Sequence, residues 1–73
     1  MIEAPPNTQF TQSENELLTY LFQRPRTGSI NWNSFVTEWE YYGKRRKLEH
    51  QSAVIYKRSK GQLGDRLKTM GLR

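Results

Sequence analysis

The side chains with the most obvious chemical capacity in this chain are cationic, and they crowd into its second half. Residues 41–73 hold Lys44, Arg45, Arg46, Lys47, Lys57, Arg58, Lys60, Arg66, Lys68 and Arg73 against only Glu49 and Asp65. Residues 1–40 hold Arg24 and Arg26 against five glutamates. The formal charge of +5 therefore comes from one half of the sequence. A basic half on a small chain is the footprint expected of a polyphosphate ligand; a solvated face that keeps the chain soluble is the alternative. Groups able to do covalent or acid–base work are sparse. There is no cysteine, and the single histidine, His50, lies in a polar stretch. No His, Cys and carboxylate set has metal-ligand spacing, so no metal is expected. Asp65 has no evident acid–base companion, and the glycines do not follow a strand as a phosphate-binding loop would. The expectation is a binding module with no cofactor and no small-molecule substrate, not an enzyme.

The basic residues differ in what they can do. Lys57, Arg58 and Lys60 flank Ser59, a good N-cap for a final helix, and a helix N-terminus with nearby cations suits phosphate oxygens. The run Lys44-Arg45-Arg46-Lys47 has three readings: a phosphate clamp, a nuclear-import signal, or a solvated charge run in a mobile loop. Arg24 and Arg26 are weaker phosphate candidates, better read as solvated charges.

Three segments carry helical periodicity. Thr11-Gln12-Ser13-Glu14 has the form of a capping box, and Leu17, Leu18, Leu21 and Phe22 follow as one stripe until Pro25 stops the helix near Gln23. A loop runs from Arg24 to Ser29. Asn31 is the better N-cap for a second helix with Trp32, Phe35, Val36 and Trp39 on one face, and Gly43 is expected to end it. The third helix runs from Lys60 to about Met70, its apolar positions Leu63, Leu67 and Met70, with Gly71 just past it. Between the second and third, Ala53-Val54-Ile55-Tyr56 is an apolar run that fits a helix extension, an extra turn or a packed loop. Tyr41, Tyr42, Ile55 and Tyr56 either cap a small core or form a dimer surface. None of the three helices buries its stripe alone. The expected architecture is an all-α three-helix bundle around Phe10, Leu18, Leu21, Phe22, Trp32, Phe35, Trp39, Leu63 and Leu67. Residues 1–9, with two prolines and no periodicity, read as a disordered or linker segment, and residues 10–73 as the domain.

These residues resemble a Myb/SANT-type domain. Phe10-Thr11-x-x-Glu14-Asn15-x-x-Leu18 is similar to the family's opening pattern, Trp32-x-x-Phe35 to the start of its second helix, and Arg58-Ser59-x-x-Gln62-Leu63-x-x-Arg66-Leu67 to its third. Asp65 to Met70 is weakly similar to the end of the third helix in the telomeric-repeat-binding branch. Phe10 and Leu67 stand where the family has its first and third tryptophans, the stretch from Trp39 to Arg58 is longer, amounting to an insertion between helices 2 and 3, and Gly61 and Gly64 sit inside the third helix. The resemblance implies a homeodomain-like helix-turn-helix fold with the third helix in the major groove of double-stranded DNA. It implies that Gly61, Gly64, Asp65 and Lys68 face bases, with Lys68 donating to guanine and Asp65 accepting from cytosine. It also implies that Arg66 pairs with Glu14. The phosphate-facing set is then Lys44, Arg45, Arg46, Lys47, Lys57, Arg58 and Lys60.

The chain's 73 residues allow one domain, with a thin stability margin and no disulfide to widen it. No apolar run approaches the ~18 residues of a membrane span. The expected setting is nuclear, within a larger transcription, chromatin, telomere or centromere protein. The alternative is a SANT-type protein-interaction module that docks on histone tails or a chromatin-complex subunit.

Overall fold

In the computed structural model, which describes residues 1–26 and 28–73, three helices follow one another along the chain: α1 (Gln12–Gln23), α2 (Trp32–Glu49) and α3 (Lys60–Thr69). Thr27, in the predicted first loop, lies outside the described residues. Each helix begins where its capping residue dictates. Thr11 Oγ1 accepts from the Glu14 amide while the Glu14 carboxylate accepts from the Thr11 amide, a reciprocal capping box. Asn31 Oδ1 accepts from the Ser34 amide at the start of α2. Ser59 and Gln62 repeat the reciprocal arrangement at α3. At the far end of α3, Gly71 takes the left-handed conformation (φ +78°) in which a helix commonly terminates.

The three apolar stripes meet in one core. Leu17, Leu18 and Leu21 from α1, Phe35 and Trp39 from α2, and Leu63 and Leu67 from α3 are buried together. Phe10, Phe22 and Trp32, expected inside, are partly buried and pack against that core from its edge. Trp39 is fully enclosed. Its indole N–H, which would be costly to strand in an apolar interior, donates to the Tyr56 carbonyl at 2.9 Å.

Helix α2 does not stop at Gly43. It continues through Lys44–Glu49, all good helix formers, and closes when the His50 amide donates to Arg46 O. Gly43 is buried in mid-helix, with Met1 and Ile55 lying directly over its Cα hydrogens. The residue type that signalled an end serves instead as a point of close approach. The chain then returns in an extended path, and Lys57 N–H donates to Ile2 O beside an isolated parallel bridge between Glu3 and Lys57. Of the three conformations open to residues 53–56, the packed loop is the one formed: Ala53 is buried, Ile55 and Tyr56 partly so. Among the described residues no helix is long and apolar enough to cross a membrane.

Candidate nucleic-acid interface

Helix α3 packs Leu63 and Leu67 inward, so the residues on its opposite side form its outward face. Gly61, Gln62, Asp65, Lys68 and Thr69 are exposed there, and Lys60 is exposed at the first position of the helix. At 100° per residue Asp65 stands about 200° from both Leu63 and Leu67, near the centre of the outward face. Lys68 lies about 60° from Asp65 toward the far end of that face, whereas Lys60, about 140° from Asp65, is exposed because it opens the helix; the two are about 12 Å apart along the axis. Among the described residues neither lysine forms an ion pair. Lys57 is exposed just before the helix, and just after it the Arg73 guanidinium lies 5.0 Å from the centre of the Trp32 ring.

Two residues expected on this face are elsewhere. Gly64 is buried: a β-carbon there would meet the Trp32 ring at 3.7 Å and Arg73 Nη1 at 3.1 Å, so it faces α2 and not a base. Arg58 is only 3% exposed and cannot reach a phosphate. Its guanidinium straddles the Glu14 carboxylate, with Nε to Oε2 at 2.9 Å and Nη2 to Oε1 at 2.8 Å, and donates further to the carbonyls of Thr8 and Gln9. The Phe10 ring lies 4.0 Å below it. The Glu14 partner is therefore Arg58 and not Arg66. Arg66 sits at the rim and donates instead to Asn15 Oδ1 at 3.0 Å. Nothing in the order of residues separates these two arginines. Arg58 precedes the N-cap Ser59 and Arg66 precedes Leu67, both cations that could reach α1, and the choice depends on the extended path of 53–58 carrying Arg58 over the Phe10 ring.

The run Lys44–Lys47 lies on the last turns of α2, and this divides it. Four consecutive helical residues point about 100° apart and so encircle the helix. Arg46 faces α1 and pairs with Glu16 at 2.5 Å, in a pair open to solvent. Arg45 turns to the outer side, where its guanidinium donates to the Tyr41 hydroxyl at 3.2 Å. Lys47 donates to the Gln51 carbonyl, and Lys44 is exposed beside Gly43. The four do not form a clamp on one surface. Arg24 and Arg26 are likewise occupied. Arg24 approaches Glu38 at 3.8 Å, and Arg26 donates to the carbonyls of Leu21 and Phe22, closing the C-terminus of α1. His50 caps α2 and is exposed.

No family model, curated protein or solved structure matches this chain. Its functional reading therefore rests on its own residues and their placement. They leave four exposed cations on or beside α3, Lys57 just before it, Lys60 at its start, Lys68 on its outward side and Arg73 beyond its end, together with the exposed carboxylate of Asp65.

Proposed function

We propose that the chain is a double-stranded DNA-binding module of the helix-turn-helix kind, with α3 in the major groove, and that it works within a nuclear transcription, chromatin, telomere or centromere protein. The observation that carries this reading is the pair of exposed lysines on a ten-residue helix, Lys60 at its first position and Lys68 on its outward side, neither in an ion pair among the described residues. An α-helix with its side chains is about 10–12 Å across, which fits a groove about 12 Å wide. Lys68 then meets guanine O6 or N7, and Asp65 meets cytosine N4. Lys57, Lys60 and Arg73 stand toward the flanking phosphates, where they set register and affinity but not sequence preference.

A mobility shift on random-sequence duplex at ~50 and ~200 mM salt tests the proposal. Binding should weaken steeply with salt. The double substitution Lys60→Ala/Lys68→Ala should lower the slope of log affinity against log salt by about one to two, at an unchanged melting temperature. No shift of the wild-type domain even at ~50 mM salt sinks it.

A second reading, a SANT-type interaction module for histone tails, is favoured by one observation. Asp65 holds the centre of the exposed α3 face, and Gly64 and Arg58 are withdrawn from it. Lysine-rich tail peptide binding without any duplex shift, lost on Asp65→Asn, would replace the first reading with this one.

A further inference from the structure

On the side of the molecule formed by the end of α2, the 53–56 return and the first two residues, the chain leaves apolar surface open. Leu48 is 82% exposed, Ile2 78%, Val54 41% and Met1 39%. They are not scattered. Together with Ile55 and the backbone of Gly43 they wall a groove of about 430 Å³, a volume within the range of formed ligand sites. A domain this small has little apolar material to spare, so leaving these side chains in water while Leu63 and Leu67 are sealed sets the groove apart. Its rim is charged with one sign. Lys44 and Lys47 line it, and no carboxylate does.

We infer that this groove is a docking site for an acidic amphipathic helix of a partner protein, which sets apolar side chains at i, i+3 or i+4, and i+7 between the walls and carries glutamates or aspartates toward Lys44 and Lys47. The apolar walls supply the contact area and the lysines supply orientation and selectivity. Charge decides between candidate occupants. A second copy of this chain would bring Lys44 and Lys47 against their own equivalents and add +5 to +5. An anionic bilayer would satisfy the lysines but is flat, whereas the apolar residues here face one another across a concavity. No residue of α3 lines the groove, so the inference stands apart from the DNA-binding proposal.

The test is a titration of isotope-labelled full chain with a synthetic helical peptide bearing three leucines on one face and glutamates elsewhere. Nitrogen–proton correlation spectra provide the readout. Saturable shifts are expected at Gly43, Leu48 and Ala53–Ile55, and not along α3. Leu48→Asp, at a position exposed enough to leave the fold and melting temperature unchanged, should weaken binding at least about tenfold. Lys44→Gln/Lys47→Gln should weaken it about fivefold at ~50 mM salt and much less at ~500 mM. The inference is overturned by an absence of saturable shifts up to ~1 mM peptide, or by equal binding of a control peptide with its leucines changed to serine. It is equally overturned by a Leu48-dependent dimer in sedimentation, or by Leu48-dependent capture on phosphatidylserine vesicles without peptide binding.

Discussion

The buried Glu14–Arg58 pair should be the most sensitive electrostatic point in the molecule. The Glu14 side chain is 0% exposed and its carboxylate accepts four hydrogen bonds, two from Arg58 and one each from the amides of Thr11 and Tyr56. Arg58→Met keeps most of the apolar volume beside Phe10 but leaves a carboxylate enclosed with only two amide donors. Removing one partner of a buried pair costs about 3–5 kcal/mol, because the remaining charge is uncompensated. Typical stabilities of 0.05–0.15 kcal/mol per residue put this domain at roughly 4–11 kcal/mol, so the loss removes a large share. With a urea slope of about 1 kcal/mol/M for so small a domain, the midpoint should fall by about 3 M or more. Arg66→Met, which loses a single hydrogen bond to Asn15 at the rim, should cost about 1 kcal/mol. The double substitution Glu14→Met/Arg58→Met should be no less stable than Arg58→Met alone, since it removes the stranded charge with its partner. Urea unfolding followed by helical circular dichroism measures all three. A loss below about 1 kcal/mol for Arg58→Met, or a larger loss for Arg66→Met, refutes the reasoning.

Two glycines inside helices should respond to alanine with opposite signs. Gly61→Ala meets open space beyond Ser59 Oγ at 3.9 Å and should stabilise by up to about 1 kcal/mol through helix propensity. At Gly43 the same gain is outweighed, because the new methyl would lie 2.8 Å from Ile55 Cγ2, on a segment held by Trp39 and Glu14; a net loss of about 1 kcal/mol is expected in thermal melts. Trp39→Phe empties part of a fully enclosed site and leaves the Tyr56 carbonyl without its indole donor, so it should cost about 2–4 kcal/mol in the same assay. A melting temperature within error of wild type would show that Trp39 is not the centre of the core.

The local instructions in this sequence are strong where a few neighbouring residues suffice. Three N-caps and three stripes at helical spacing are readable without coordinates, because capping and amphipathicity operate within about two turns of chain. Thr11, Asn31 and Ser59 start their helices as their side-chain chemistry requires. The all-α bundle follows, since none of the stripes is satisfied alone. Helix ends and partners across the chain are a different matter. Gly43 looks like a terminator in isolation, yet its missing side chain is used by Met1 and Ile55, which arrive from the two far sides of the sequence. Arg58 and Arg66 both suit a salt bridge to Glu14. Only the extended return of residues 53–58, tied by Tyr56 to that same carboxylate, decides that Arg58 is enclosed and Arg66 stays at the edge. The four cations after Gly43 read as one patch along the chain, but a helix turns them about 100° apart and disperses them. Charge and periodicity were therefore present in the order of residues. Which charges remain open to a ligand depended on contacts between residues more than forty positions apart, as in the hydrogen bonds of Arg58 with Glu14, and no local pattern encodes those.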